Sequence, residues 1–442
     1  MARHLFGTDG VRGRAGHFLT AELALKLARA AVDRMDTEAP QVLIIRDTRE
    51  SGEMLESAMA AGVTAAGGIA LLGGILPTPA APQLVRRHGL DLAAVISASH
   101  NPYEDNGIKL FASDGFKLDD ETEHEIEAAL QEEPKPPSRV GRVRRLHGAL
   151  EDYLRELHVR FEALDLSGVR ILLDCANGAT FRAAPEIFRR LGAHVDTLAD
   201  QPDGRNINDG CGSTNLEPVA EQMRAGEHDI GFAFDGDGDR VLAVDRHGAV
   251  VDGDELIALA ALHFREHGRL TGEGVVVTVM TNYGFHRAME AARIQVATTT
   301  VGDRYVLDEL RQRGWTLGGE QSGHIIDLGF GPSGDGIASA LLVLESLAGR
   351  DLSQRGAMDK LPQRLVNVRA AERRAIQAAM ESPAVVEAIE QEQQALSGRG
   401  RVLVRPSGTE PLIRVMVEAP AQDESDAVCE RLATVLERSL GG

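Results

Sequence analysis

Ser99, in the run Ile96-Ser97-Ala98-Ser99-His100-Asn101-Pro102, follows the apolar stretch Leu92 to Ile96 directly, an arrangement that presents a hydroxyl at a strand end. Read alone, it serves equally as a turn former or helix cap, the common fate of Ser beside Asn-Pro. Three further segments shift the balance: Asp235-Gly-Asp237-Gly-Asp239-Arg240, Gly319-Glu320-Gln321-Ser322-Gly323-His324 and Arg405-Pro-Ser407-Gly408-Thr409-Glu410. Together the four offer a nucleophile, a cation cage, a reader of hydroxyl groups and a phosphate clamp.

The three carboxylates Asp235, Asp237 and Asp239 recur at every second residue behind the apolar run Ile230 to Phe234, and the glycines between them let the backbone turn so that their oxygens converge. Two unit charges ~4 Å apart repel by about 4 kcal/mol at an intermediate effective dielectric, so a convergent set calls for a hard divalent cation, with Mg²⁺ the natural choice. A calcium loop is excluded, because Arg240 follows the third acid where Gly is required and Arg246 stands where the closing Glu belongs. For any single Asp-Gly pair a solvated turn is the better reading; five alternating residues behind a strand reverse that preference.

Acyl transfer and nucleotide hydrolysis lose ground because the chain has neither a Gly-x-Ser-x-Gly elbow nor a Gly-x-x-x-x-Gly-Lys loop. What stays open for Ser99 is a phosphoryl group accepted and returned. His100 and Lys109, the latter in Asn106-Gly107-Ile108-Lys109, reach the same oxygen if a hairpin brings them together; otherwise each is a surface residue. Arg405, Ser407, Gly408 and Thr409 supply a guanidinium, two hydroxyls and a freed backbone, suited to a non-reacting phosphate, although for the segment alone a plain type I or II turn is the better reading. Glu320 and Ser322, between Gly319 and Gly323, accept from and donate to sugar hydroxyls, or form an ordinary polar loop.

Short apolar runs must position these loops: Val42 to Ile45, Ile69 to Leu72, Leu92 to Ile96, Val169 to Leu173, Ile230 to Phe234 and Val275 to Val279. They alternate with helical spacing, as in Thr20 to Arg34 with Thr20 as N-cap, which predicts βαβ units and largely parallel sheets. Two strand-then-polar-turn signatures, Leu173 to Gly178 and Thr278 to Gly284, suggest one α/β unit repeated. The uncharged stretch Ser57 to Val85 is broken by Gly67-Gly68, Gly73-Gly74 and Pro77, Pro79 and Pro82, and reads as helix, turn, strand and loop rather than a membrane span. A Pro- and charge-rich connection at Glu132 to Ser138 precedes a helix from Leu150 to Phe161. From about Leu365 the pattern becomes strand, Glu/Ala/Gln-rich helix, strands Val402 to Val404 and Ile413 to Val417, and a closing helix Ser425 to Leu440, a smaller α+β unit.

At 442 residues several cores are expected, and 67 acidic against 47 basic residues, a net charge of -20, argue against nucleic acid and anionic membranes as partners. The cysteines Cys175, Cys211 and Cys429 are odd in number and widely spaced, which fits a reducing cytoplasm. A secretory signal is not visible at the start, and a cytoplasmic location is expected.

With these segments in place, the chain resembles the α-D-phosphohexomutase superfamily over its whole length. The opening Phe6-Gly7-Thr8-Asp9-Gly10-Val11-Arg12-Gly13, Gln321 and the run Arg405 to Glu418 are similar to its glucosamine-specific branch. The resemblance implies three similar mixed or parallel-sheet α/β domains, 1–148, 149–250 and 251–364, and a smaller C-terminal α+β domain, 365–442, around a central cleft. It implies that Ser99 carries the phosphoryl group, that Asp235, Asp237 and Asp239 hold one Mg²⁺ per subunit together with a phosphoserine oxygen, and that Glu320, Ser322 and His324 grip the sugar. Arg405, Ser407, Gly408 and Thr409 would hold the distal phosphate; Arg12, His100, Lys109 and Arg240 would surround the transferring one, with Lys109 as proton shuttle.

The implied reaction isomerises glucosamine 6-phosphate to glucosamine 1-phosphate through a 1,6-bisphosphate that also acts as activator, feeding the amino-sugar nucleotide of cell-wall synthesis. The implied partner is a small phosphosugar, with a homodimer as an admissible assembly and the fourth domain expected to close over the sugar. Rival readings are a mannose or glucose phosphate mutase, a Mg²⁺ sugar phosphatase built on the same acids, and a non-catalytic phosphosugar sensor.

Overall fold

The computed structural model describes residues 5–7, 9–133, 136–370, 372–407 and 411–440. Strands Leu92–Ile96, Ile230–Phe234 and Gly274–Thr278 are buried at every position, as strands covered by helices on both faces must be. Each Val, Leu or Ile taken fully out of water there contributes roughly 1.5–3 kcal/mol.

One wiring pattern occurs three times. In the first sheet, Gln41–Arg46 lies between the parallel neighbours Ile69–Ile75 and Leu92–Ile96, and Leu92–Ile96 returns as the antiparallel Asp105–Ala112. Arg170–Asp174, His194–Leu198, Ile230–Phe234 and Val241–Asp245 repeat this arrangement. So do Gly274–Thr278, Gln295–Thr299, Leu317–Gly319 and Ile325–Asp327. Val11–Arg14 and Arg142–Arg145 extend the first sheet, and Val250–Val251 the second. All three sheets belong to one compact unit, Met1–Met280 with Ile294–Arg355.

The consequence for function is positional. Every repeat carries one loop at the carboxyl end of a parallel strand, just before the antiparallel return, and these loops, 97–104, 235–240 and 320–324, hold Ser99, the three aspartates and Glu320. Carboxyl ends of parallel strands are where open α/β sheets bind ligands.

The alternation of runs predicts largely parallel sheets and the resemblance mixed ones; each of these three sheets is mixed, parallel strands with an antiparallel margin. The returns come through short hairpins rather than helical crossovers, and Asp105–Ala112 carries polar residues that mask its strand character. Two turn signatures pointed to the repeat, and the third copy is Asp47-Thr48-Arg49, behind Gln41–Arg46. In the first two units the turn begins in the same way: Asp47 Oδ1 accepts from Arg49 N and Asp174 Oδ1 from Ala176 N, both at 2.9 Å.

Helix Ala21–Asp33 starts at Thr20, whose Oγ1 accepts from Leu23 N at 3.2 Å, and helix Ala149–Arg160 leads into the second repeat. The stretch Ser57 to Val85 runs through helix Gly52–Ala65 and strand Ile69–Ile75, but ends in helix Ala80–His88 rather than a loop. Pro82 sits in that helix's first turn, where a missing N–H costs no hydrogen bond. No helix among the described residues is long and apolar enough to cross a membrane. The three cysteines are buried free thiols.

The second compact unit comprises Thr281–Arg293 and Gly356–Gly442. Its antiparallel sheet has the order Gln363–Arg369, Leu412–Glu418, Arg401–Pro406, backed by Gln422–Leu440 and two further helices. A single Glu/Ala/Gln-rich helix is predicted there; two form, Arg373–Met380 and Pro383–Ala395, because Pro383 biases Ser382 away from helical geometry. Helix Tyr283–Ala291 belongs to this unit, tied to it by Tyr283 N donating to Glu418 Oε2 at 2.9 Å and Asn282 Nδ2 to Leu361 O at 3.1 Å.

Candidate active site

Strand Leu92–Ile96 delivers Ser99 in the left-handed region, φ +53, and buries it. Its hydroxyl donates to Asp235 Oδ2 at 2.6 Å, and its backbone N–H donates to Ser97 Oγ at 3.0 Å. His100 Nδ1 stands 3.2 Å from Ser99 Oγ and 3.4 Å from Arg240 Nη1, a donor that favours Nδ1 as the acceptor nitrogen. Burial, then Arg240 and Arg12, push the His100 pKa below its ordinary value, so the ring is neutral near pH 7.

Asp235, Asp237 and Asp239 converge as the alternating pattern predicts: all are buried, with one ligand oxygen from each within 4.8 Å of the others. Gly238 makes the turn at φ +73, and Gly236 lies so close to the Ser99 loop that a Cβ there would stand 2.6 Å from Ser99 O. The oxygens divide into two sets. Asp237 Oδ2 accepts from Thr78 Oγ1 at 2.6 Å and Lys109 Nζ at 2.8 Å, Asp239 Oδ2 faces Lys109 at 3.4 Å, and Asp235 Oδ1 accepts from Arg240 N at 3.2 Å. Asp237 Oδ1 and Asp239 Oδ1 are buried with no hydrogen-bond partner. Orphaned carboxylate oxygens in a shared, all-oxygen site fit a hard divalent cation. Burial, with Asp239 and Asp237 beside it, pushes Asp235 well above the ordinary carboxyl range. Asp237 goes the other way: burial opposes it, but Lys109 and the Thr78 hydroxyl hold it down.

Arg12 and Lys109 come from adjacent strands, Val11–Arg14 and Asp105–Ala112, the second being the hairpin return that the sequence required if Lys109 was to approach the Ser99 site. Burial works against the Lys109 ammonium, yet Asp237, Asp9 and Asp239 outweigh it and hold the group charged. In that state Lys109 carries a proton to donate. Asp9 binds Lys109 at 3.0 Å and also pairs with Arg12 and Lys117; Lys117 in turn reaches Asp303. An alternating chain of charge thus runs from the third repeat to the aspartates.

Glu320 accepts from Gly302 N at 3.1 Å, and its charge helps hold the Arg240 pKa above the ordinary value against burial, after Asp239 and Asp235. Ser322 Oγ and His324 Nδ1 are buried without partners, as are the Nε atoms of Arg12 and Arg240. Such groups are rare unless a ligand or water completes them. A cavity of about 380 Å³ lined by Lys117, Asp303, His324 and Ser333 opens beside His324. Within the first unit, then, Ser99, His100, Lys109, Arg12, Arg240, Glu320 and the aspartates form one connected site.

Arg405 and Ser407 lie in the second unit. Arg405 is directly opposite Arg414 in the strand register, and burial together with Arg414 lowers the Arg405 pKa. Like charges directly opposite on a ladder repel. Gly408 and Thr409 fall outside the described residues. Sequence reasoning gave no role to Asp9, Asp47, Arg49, Thr78, Lys117, Asn208 or Asp303; of these, Asp9 stood in the opening run Phe6 to Gly13, and Asp47 and Arg49 in a polar turn behind a strand.

Comparison with known proteins bears on all of this. Patterns described as phosphoglucomutase/phosphomannomutase alpha/beta/alpha domains I, II and III match residues 3–136, 151–248 and 252–365, and the pattern for the C-terminal domain matches 365–435. The chain is 50% identical over 442 residues to the phosphoglucosamine mutase of Desulforudis audaxviator, covering 98% of this chain and 97% of that protein. It is likewise 50% identical to that of Moorella thermoacetica, covering 98% of each. Among solved structures, a phosphoglucomutase/phosphomannomutase family protein of Burkholderia thailandensis shares the fold with a TM-score of 0.82 at 22% identity, covering 100% of this chain and 99% of that one. Aspergillus fumigatus N-acetylphosphoglucosamine mutase, solved with GlcNAc-6P and magnesium, does so with 0.68 at 19% identity, covering 99% and 96%.

Proposed function

The chain belongs to the phosphoglucomutase/phosphomannomutase family and is a phosphohexomutase, an isomerase; from that premise we propose that it interconverts glucosamine 6-phosphate and glucosamine 1-phosphate, with Ser99 carrying the phosphoryl group. The names of relatives sharing half its residues support the amino-sugar substrate. One observation carries the catalytic assignment: the Ser99 hydroxyl is 2.6 Å from Asp235, in a buried aspartate cluster with two orphaned oxygens.

In the forward direction the P–O bond to Ser99 breaks and a P–O bond to the sugar's 1-oxygen forms, giving the 1,6-bisphosphate. The sugar hydroxyl gives up its proton and the Ser99 oxygen gains one. Neutral His100, 3.2 Å from Oγ, is the group placed to exchange that proton. Lys109 orients Asp237 and Asp239 and contributes positive charge. After the intermediate turns over in the site, its 6-phosphoryl group returns to Ser99. Glu320, Ser322 and His324 hold the sugar, while Arg405 and Ser407, with Gly408 and Thr409, serve the distal phosphate. Mg²⁺ held by Asp235, Asp237, Asp239 and a phosphoserine oxygen would neutralise charge on the transferring group. Phosphoryl transfer asks little covalent chemistry of a protein, and accelerations of up to about 10²¹-fold rest on positioning and electrostatics. The reaction would serve cytoplasmic synthesis of cell-wall amino-sugar nucleotides, with a phosphosugar as the partner and a homodimer as the assembly to examine.

Turnover compared on glucosamine, glucose and mannose phosphates tests the reading. We expect the amino sugar to give the highest kcat/KM and total ester phosphate to be conserved. A preference for mannose or glucose phosphate would overturn the substrate, and net phosphate release would overturn the mutase assignment.

A further inference from the structure

Ser99 is held in a conformation that an L-residue adopts at a cost of about 1–3 kcal/mol, and such strain persists only where the surroundings over-determine it. The surroundings here are specific. Arg49 Nη2 donates to the carbonyl oxygens of Ser99 and Asn101, both at 2.9 Å. From the other side, Asn208 Nδ2 donates to the same two oxygens, at 3.0 and 3.1 Å. Two NH₂ groups have four hydrogens and two carbonyl oxygens have four lone pairs, so the clamp is saturated.

Each jaw is itself braced. Asp47 forms an ion pair with the Arg49 guanidinium, Oδ2 to Nε 3.1 Å, and accepts hydrogen bonds from Arg49 N at 2.9 Å and Ser97 Oγ at 2.5 Å. That same Ser97 oxygen receives the Ser99 N–H. Asn208 belongs to the segment 199–216, which has neither helix nor strand. It sits at φ +59 with its N–H on Ala176 O at 2.9 Å. Long irregular segments inside compact domains are uncommon and usually functional. Arg49 is fully buried, and its Nη1 and Nε have no hydrogen-bond partner. An apolar side chain of similar volume is often as stable or more stable than a buried ion pair, so a buried arginine in this position points to a role beyond stability.

We infer that Arg49 and Asn208 are positioning residues for phosphoryl transfer: they fix the backbone of the Ser99 loop from the first and second repeats, so that Oγ stays aligned with the Asp235 cluster. This rests on the proposed role of Ser99. Neither residue is given contact with substrate. A displacement of about 1 Å at a reacting atom can cost about 100-fold in rate, whereas substrate affinity is set by Glu320, Ser322 and the arginines elsewhere.

Asn208→Gly tests this with little backbone penalty, because glycine adopts φ +59 freely, and Arg49→Lys tests the opposite jaw. Steady-state kinetics on glucosamine 6-phosphate and circular-dichroism melting are measured for both. The expected result for Asn208→Gly is a fall in kcat of about 10- to 100-fold with KM within about twofold of the parent and the fold intact. Unchanged kcat overturns the inference. So does a loss of activity that merely follows the loss of folded protein in the melting curve. If the parent protein turns over none of the three hexose phosphates, it is the proposed function that fails; if the parent is active and either variant matches its kcat, the clamp alone fails.

Discussion

Raising the pH should cost this protein stability through Asp335, and replacing that residue with Asn should remove the cost. Asp335 caps helix Gly336–Leu347, its Oδ1 accepting from Ala338 N at 2.9 Å. The other groups facing it are the Ile337 N–H, the Tyr153 hydroxyl, 3.0 Å from each carboxylate oxygen, and Gln83 Nε2 at 3.5 Å; among the described residues no cation pairs with it. Burial therefore pushes its pKa from 3.8 to about 7. About three units at 1.36 kcal/mol each correspond to roughly 4 kcal/mol. As to sign, the folded state holds a proton that the unfolded chain releases near its ordinary pKa. The contribution is complete below about pH 4, declines as pH rises and is gone above about pH 7. Asn keeps the cap and the tyrosine's acceptor and never ionises. Urea-unfolding midpoints of the parent protein and Asp335→Asn, taken from about pH 4.5 to about pH 8, should show the variant gaining up to about 4 kcal/mol relative to the parent as pH rises. A difference that stays constant across that range refutes the reasoning. The site feels this cap, because Gly336 N donates to Gly238 O at 3.0 Å, inside the aspartate loop.

Thr78→Val removes the donor 2.6 Å from Asp237 Oδ2 and should weaken divalent-cation binding about tenfold in titration calorimetry; unchanged affinity would mean that the Thr78 hydroxyl does not orient Asp237 toward a cation. Gly238→Ala forces an L-residue to φ +73 and puts a Cβ 2.5 Å from Thr180 Cγ2. It should lose about 1–3 kcal/mol in thermal unfolding, and a variant as stable as the parent contradicts the turn's role. Ser322→Ala deletes a buried hydroxyl with no internal partner, so stability should hold while KM rises about fivefold, the equivalent of one hydrogen bond of about 1 kcal/mol. A KM unaffected by this change would place Ser322 off the substrate.

What the sequence disclosed and what it hid follow from how far apart the interacting groups are along the chain. Ser99 and the aspartates were legible because each stands directly behind an unbroken apolar run, Leu92–Ile96 or Ile230–Phe234, and strand plus loop is a local pattern. The alternation of Asp and Gly was legible for the same reason. Arg49, Asn208 and Thr78 were not, since their partners lie 50, 109 and 159 residues away and no periodicity links a buried arginine to a distant carbonyl. Lys117 and Asp303, 186 residues apart, meet only because two repeats fold against each other. The apolar runs alone did not disclose the antiparallel returns, because a strand such as Asp105–Ala112, which must present Lys109 to the aspartates, carries polar residues where a buried strand is usually apolar. Helix Tyr283–Ala291 follows a strand of the third repeat yet joins the second unit through Glu418, a preference that nothing in its own residues announces.

The most direct test of Ser99 as the carrier is to load the protein with the bisphosphate, digest it and locate the phosphoryl ester by mass spectrometry before and after adding glucosamine 6-phosphate. The account predicts a single ester on the peptide containing Ser99, lost to the sugar when substrate is in excess, and neither ester nor turnover in Ser99→Ala. An ester on another residue, or a Ser99→Ala protein that still interconverts the two sugar phosphates at the parent rate, would contradict it.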